Sequence, residues 1–446
     1  MNQTIVALAT PGGVSALAVI RISGALVTEI AAKILCRTGL EDRKVYYGKA
    51  VNPENNEEID SLVYLFFKGP RSYTGEDSLE LFPHGNPLIV RELIRTVTAI
   101  KGVRLAEPGE FTKRAFLNGK LDLVQAESVA EIIHSATRAG LSNARRLLSG
   151  KFSNQVKTLA EKIKHISARL ELEVDFVEEE LEADLPGWQT ELEAIRDLLL
   201  GLLRNFKSAE LGNRLPRIVL YGKPNAGKSS LINAFLEDDR LLVSAVPGTT
   251  RDFIEVPFLL PDGEALLVDT AGIADQAVDE LDARSMEKSK RILESADIAV
   301  LVQDILTAYT PEAIQERETA LQKNHFVLFA KADLKNPDLP ALENEFEVSA
   351  VTGEGIETLK REWNRALFPA AGDPESFWLT SERQRVCIEN AERGIGKALD
   401  LMEALPAVEL LAFELQVVRR ELQAVVGEIS SEDILQSIFS EFCIGK

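Results

Sequence analysis

Two stretches of this chain repeat apolar positions at helical spacing. Phe152, Val156, Leu159, Ile163, Ile166 and Leu170 step by four and three residues, and Val408, Leu411, Leu415, Val418, Leu422 and Val425 step by three and four. That period puts each set on one stripe of a helix and predicts two long helices, each with a face to bury. Neither can bury its stripe alone, so the two are expected to pack on each other. Between them the texture changes. Short apolar runs recur at 217–221, 254–259, 264–269, 297–302, 325–330 and 346–349 with helical stretches between, the rhythm of a parallel sheet. Residues 1 to about 118 mix strand-like runs with turns. The runs are Ile5-Val6-Ala7-Leu8, Ala16-Leu17-Ala18-Val19-Ile20 and Leu62-Val63-Tyr64-Leu65-Phe66-Phe67; the turn signals are Pro11-Gly12-Gly13 and Lys68-Gly69-Pro70.

These patterns predict an α+β N-terminal domain over 1–118 and an all-α helical domain built from 119–212 and 373–446. An α/β domain over 216–371 is then an insertion into the helical one, with its two ends close together. A length of 446 residues agrees, being too great for one core.

Composition narrows the class. Apolar content of 45% and charged content of 27% are ordinary for a globular protein. The three cysteines, Cys36, Cys387 and Cys443, are widely spaced, without disulfide or metal-ligand pattern, which fits a reducing compartment. No signal peptide or membrane-length apolar run is present, and Leu198 to Leu203 is far too short for one. A cytoplasmic protein with no membrane partner is expected. The net charge of −20 argues against unaided grip on nucleic acid, so an RNA substrate would need a basic partner. The acid run Glu178-Glu179-Glu180-Leu181-Glu182 reads as a solvated helix face or loop.

The most informative residues lie at the start of the inserted domain. Gly222-Lys223-Pro224-Asn225-Ala226-Gly227-Lys228-Ser229 is a complete phosphate-binding loop, placed between the strand-like Arg217 to Tyr221 and the helix-like Ser230 to Leu236. Gly222 and Gly227 let the backbone curl until its N–H groups face an anion at a helix N-terminus. Lys228 would reach the β- and γ-phosphates, and Ser229 would ligate Mg²⁺. Ala226 and Ser230 flank these groups.

Downstream come Pro247-Gly248-Thr249-Thr250-Arg251-Asp252, Asp269-Thr270-Ala271-Gly272, Ala330-Lys331-Ala332-Asp333 and Ser349-Ala350-Val351. Their order resembles the nucleotide-contacting segments of translation-factor-like GTPases, and implies an α/β P-loop GTPase domain of Ras-like type. Thr250 would bind Mg²⁺ while a γ-phosphate is present and release it after hydrolysis. Asp269 would hold the Mg²⁺ shell, and the Gly272 N–H would meet the γ-phosphate. Asp333 would accept from guanine N1–H and the N2 amino group, a donor pair adenine lacks, so GTP is preferred over ATP. Lys331 would cover the ring face with its stem. Ala330 stands where an Asn usually steadies the phosphate loop. Ile273 stands where a glutamine orients water in Ras-type switches, so hydrolysis is either negligible or uses another acid and another cation. The Asn225 side-chain carbonyl is a candidate ligand for a monovalent cation that offsets developing charge.

Four further segments complete a resemblance: Ile20-Arg21-Ile22-Ser23-Gly24, Ser72-Tyr73-Thr74-Gly75-Glu76-Asp77, the run from Pro108 to Asp122, and Phe442-Cys443-Ile444-Gly445-Lys446. With the nucleotide motifs they make the chain similar, over essentially its whole length, to the tRNA modification GTPase family known as MnmE or TrmE. The resemblance implies an N-terminal domain that dimerises and binds 5-formyltetrahydrofolate or a related tetrahydrofolate through Arg21, Glu80, Lys120 and Lys446. It implies a GidA-type flavoprotein partner, with which carbon 5 of the wobble uridine of certain tRNAs is modified. It also implies a K⁺ site on Asn225, Ser244, Val246 and Thr249, hydrolysis that depends on dimerisation, and Asp282 as catalytic acid. Asp282 also reads as a solvated helix carboxylate. Cys443 reads either as a thiolate adding to uridine carbon 6 or as a buried structural cysteine. His84, in His84-Gly85-Asn86, has no assigned role. Two other functions remain: a regulatory GTP-binding module that recruits RNA or ribosomal partners, and a folate-dependent one-carbon transferase with a degenerate nucleotide domain.

Overall fold

A computed structural model describes residues 3–175, 185–212, 215–238, 254–269, 291–335, 345–368, 377–403, 408–440, 442 and 444–445. The acid run from Glu178 to Glu182 lies outside them. The chain forms two compact units. One holds Met1–Ala130, Ala144–Arg204 and Leu379–Lys446, and the other holds Glu131–Asn143 and Asn205–Trp378.

The first unit begins with β1 (Thr4–Leu8), β2 (Ser15–Leu17), β3 (Ile20–Ser23), α1 (Val27–Ile34), β4 (Val45–Val51), β5 (Glu58–Phe67), β6 (Ser78–Phe82), β7 (His84–Gly85), α2 (Pro87–Thr98) and β8 (Val103–Leu105). Six strands form one sheet in the order β4-β5-β6-β3-β1-β8, in which only the β1–β8 pair is parallel. Period-two alternation sends Val6, Ile20, Ile22, Leu79 and Leu81 to one face, where they pack on Ile30 and Ile34 of α1 and Leu93 and Val97 of α2. Ile5 and Ala7 face the other way, onto Phe111 of α3 (Glu110–Leu117). The apolar run from Ala16 to Ile20 is not one strand. It divides into exposed β2, paired through an irregular register with β7, and buried β3 in the main sheet.

Helices follow: α4 (Leu123–His134), α5 (Arg138–Leu148), α6 (Lys151–Asp175) and α7 (Leu185–Gly212).

The second unit carries β9 (Arg217–Tyr221), α8 (Lys228–Asp238), β10 (Ile254–Leu260), β11 (Gly263–Asp269), β12 (Ile298–Asp304), α9 (Pro311–Gln322), β13 (Phe326–Ala330), β14 (Glu345–Val348) and α10 (Ile356–Leu367). Its sheet runs β10-β11-β9-β12-β13-β14. Five strands are parallel, but β10 is antiparallel to β11. The reason is local: Pro261 and Asp262 alone connect the two strands, and a connection that short can only reverse the chain. Phe235 of α8, Phe258 of β10 and Trp363 of α10 interlock beneath the sheet, with Phe235 5.2 Å from Phe258 and 5.4 Å from Trp363 between ring centroids.

The chain then returns to the first unit with α11 (Glu382–Glu403), α12 (Val408–Val426) and α13 (Glu432–Ser440). Helix α12 packs on both α6 and α11. Phe152, Val156, Ile163 and Leu170 of one stripe are buried, as are Leu411, Leu415, Val418, Leu422 and Val425 of the other. Each such side chain contributes on the order of 1.5–3 kcal/mol. A buried ion pair joins α4 to α11, with Arg383 Nε and Nη2 donating to Glu127 Oε1 and Oε2 at 2.9 and 3.0 Å. The fold is therefore an α+β N-terminal domain, a helical domain and an α/β nucleotide-binding domain.

Candidate functional site

The nucleotide site grows from the C-terminal ends of the parallel strands. Leaving β9, the chain turns at Gly222 with φ of 138°, where a Cβ would lie 2.2 Å from the Val302 carbonyl oxygen of β12. No side chain fits there. Asn225 sits at the tip of the loop, exposed, with φ of 63°, a conformation Asn adopts more readily than most residues. Gly227 has φ of 104° and faces the Ala330 methyl, which a Cβ on residue 227 would approach to 3.0 Å. Lys228 opens α8 and is buried; its Nζ donates to the carbonyls of Gly222 and Lys223 at 2.9 and 2.8 Å. Ala226 is buried and Ser230 exposed.

Ser229 Oγ donates to Asp269 Oδ2 at 2.9 Å. Asp269 is the last residue of β11 and is 2% exposed. Two hard oxygen donors at a phosphate loop are the chemistry a Mg²⁺ ion needs. On the base side, Ser349 Oγ donates to Asp333 Oδ1 at 2.6 Å and accepts from the backbone N–H groups of Val351 and Thr352 at 3.2 Å each. Ala350 is half-buried beside it. Lys331, with φ of 65°, donates through Nζ to Asp304 Oδ2 at 2.6 Å and to the Asn225 carbonyl at 3.2 Å. Asp304 was not among the expected site residues. The signal that marks it is its place at the C-terminal end of a parallel strand, the edge where such sheets bind ligands.

Behind the loop, the Tyr221 hydroxyl lies 2.7 Å from His325 Nδ1. Burial, then the Glu316 charge, pushes the phenol up to about 12, and burial lowers the imidazole. Both groups stay neutral at physiological pH. Thr249, Thr250, Thr270, Ala271, Gly272, Asp282, Ser244 and Val246 lie outside the described residues.

The N-terminal sheet carries a second site. Arg21, Glu80 and Lys120 all line one cavity of about 410 Å³. Arg21 and Glu80 face each other across the β3–β6 ladder, with Arg21 Nε donating to Glu80 Oε1 at 2.9 Å. The Arg21 guanidinium carbon lies 5.6 Å from the centre of the Tyr73 ring. The Tyr73 hydroxyl bonds Thr112 Oγ1 at 2.9 Å, and burial raises its pKa. Lys120 Nζ donates to the Pro70 carbonyl at 3.0 Å. Arg43 and Arg71 also line the cavity and were not anticipated. Cys443 and Lys446 lie outside the described residues, but the Gly445 carbonyl accepts from Arg21 Nη1 at 3.3 Å. Gly445 has φ of 97°, and a Cβ there would lie 2.4 Å from the Leu8 carbonyl oxygen. Its backbone is wedged against the end of β1. His84 Nδ1 lies 2.9 Å from Asp60 Oδ1 and is exposed.

A phosphate loop opening the first helix of a parallel sheet, with a carboxylate at the end of the neighbouring strand, is the arrangement of a P-loop nucleotide-binding domain. The surrounding domains say which kind. Residues 4–120 match the family model described as GTP-binding protein TrmE N-terminus, and residues 123–443 match the MnmE helical domain. Proteins named tRNA modification GTPase MnmE are 35% identical over the whole of this chain and the whole of their own length, in Thermotoga petrophila over 455 residues, Aquifex aeolicus over 456 and Moorella thermoacetica over 468. This chain belongs to that family.

Proposed function

We propose that this protein hydrolyses GTP and, with a GidA-type flavoprotein and a tetrahydrofolate one-carbon donor, modifies carbon 5 of the wobble uridine of certain tRNAs. The observation that carries the reading is the Ser229–Asp269 pair at the phosphate loop, in a chain alike over its whole length to proteins named tRNA modification GTPases. Lys228 would bind the β- and γ-phosphates, Ser229 and Asp269 would hold Mg²⁺, and Asp333, aligned by Ser349, would select guanine. Bound Mg²⁺ would supply charge neutralisation at the γ-phosphate. Asn225, with Ser244, Val246 and Thr249, would hold a K⁺ ion that serves in place of the missing glutamine, and Asp282 would act as the acid. Hydrolysis then depends on a homodimer formed through the N-terminal domain.

The N-terminal cavity supports the folate part of the reading. A carboxylate such as Glu80 suits an amino-pyrimidine edge, and the cations around it suit a ligand ending in carboxylates. That cavity also favours this function over a regulatory module, which needs no such site. Absence of any membrane-crossing helix among the described residues fits a cytoplasmic enzyme.

The test is mass spectrometry of tRNA wobble uridines in cells lacking this chain. Carbon-5 modification should vanish, return with the native chain, and fail to return with Ser229→Ala. Full modification without the chain would overturn the proposal, and full rescue by Ser229→Ala would remove hydrolysis from it.

A further inference from the structure

The N-terminal cavity has a charge imbalance that a simple folate does not match. Arg21, Arg43, Arg71 and Lys120 line it against the single carboxylate of Glu80. These groups divide by depth. Arg21 and Glu80 are each 19% exposed and paired with each other, so the inner end is close to neutral. The other three cations sit at the mouth. Arg71 is 72% exposed and uses one nitrogen on Asp42 at 3.0 Å. Arg43 donates through Nη2 to the Arg71 carbonyl at 2.9 Å, and Lys120 donates to the Pro70 carbonyl at 3.0 Å. Among the described residues, neither Arg43 nor Lys120 meets a carboxylate. Holding three cations this close disfavours each of them unless anions arrive between them.

The distribution fixes a direction. A neutral, hydrogen-bonding ring system with an amino-pyrimidine edge suits the inner end, beside Glu80 and the Tyr73 ring. The acidic tail then runs to the mouth. A tail with one glutamyl residue carries two carboxylates, fewer than the three cations at the mouth, and the guanidinium forks of Arg43 and Arg71 have further donors to offer. The geometry points to a site that prefers a tetrahydrofolate with several linked glutamyl residues over the single-glutamyl form. Arg43 and Arg71 read the added carboxylates. This rests on the folate reading above and specifies its ligand class.

Calorimetric titration of the full chain with 5-formyltetrahydrofolate and with its triglutamyl form tests it. At low salt the triglutamyl form should bind roughly three- to tenfold tighter, the gain that two partly exposed ion pairs provide. That ratio should shrink towards one in about 1 M salt, where the screening length falls to about 3 Å. In the double variant Arg43→Gln, Arg71→Gln the ratio should also fall towards one. Equal affinity of the two forms at low salt overturns the inference and leaves the folate reading standing. A ratio that survives in the double variant overturns the assignment to these arginines. Binding of neither form overturns the folate reading, and this inference with it.

Discussion

Lys331 Nζ lies 2.6 Å from Asp304 Oδ2 and also donates to the Asn225 carbonyl at 3.2 Å, so one ammonium ties the base-reading segment to the tip of the phosphate loop. The Asn that usually steadies the loop is absent. In its place the small Ala330 side chain lets Gly227 come close, and Lys331 supplies the polar tie. Asp304→Asn should therefore loosen the loop rather than the base pocket. We expect about fivefold weaker binding of both GTP and GDP, a loss of about 1 kcal/mol, with the preference for guanine over xanthine unchanged. Titration with fluorescent analogues of the nucleotides measures both, and an altered base preference would put Asp304 in the pocket.

Asp333 receives the Ser349 hydroxyl on one carboxylate oxygen, which leaves the other for a base. Asp333→Asn should weaken GTP binding about ten- to hundredfold and ease binding of xanthosine triphosphate, because the amide presents a donor where guanine needs an acceptor. Competition between the two nucleotides on the same preparation reads the switch. Unchanged preference would refute the base-reading role.

Asn225 presents its side chain from an exposed left-handed position. If that side chain ligates K⁺, GTP turnover should be several-fold faster in potassium than in sodium, and Asn225→Ala should erase the difference. Alanine is strained at this φ, whereas glycine is not, so Asn225→Gly serves as the conformational control and should behave like the alanine variant. Equal rates in both salts for the native chain would dismiss the cation.

Glu110 offers a pH-dependent readout of the N-terminal domain. Burial raises its pKa, but hydrogen bonds from Arg104, the Glu107 N–H and Arg114 outweigh this and hold it below the ordinary value of 4.5. A folded-state pKa below the unfolded one means stability that is present above about pH 4.5 and lost as pH falls through the folded value. Glu110→Gln should cost about 2 kcal/mol at about pH 7, since buried Arg114 loses one of its two carboxylate partners and keeps only Glu76, and the gap to the native chain should close in acid. Urea titrations followed over that range would show it. A gap independent of pH would mean that shape and not charge is at stake.

Much of this was legible in the sequence because period and motif act locally. The stripes from Phe152 to Leu170 and from Leu411 to Val425 are helical by spacing alone, and both are buried. Strands 217–221 and 326–330 announce themselves by continuous apolar runs. The phosphate loop needs residues adjacent in sequence, so its atoms meet as the motif dictates. What the sequence hid was non-local. Antiparallel β10 depends on a two-residue connection rather than on strand composition. Asp304 gains its role only because β12 and β13 are neighbours, and Arg43 and Arg71 because a loop brings them to one cavity mouth. Ala16 to Ile20 looks like one strand in composition, yet splits because two different partners compete for it.

The bond from Arg21 to the Gly445 carbonyl joins residues 424 positions apart. A chain still being translated has its first sheet long before it has that bond, because nearly everything between must first leave the ribosome. The bond that Arg21 makes to residue 445 is thus completed only after the nucleotide domain has been made. Any product that stops short of residue 445 has the four lining cations but leaves Arg21 without this second anchor beside Glu80.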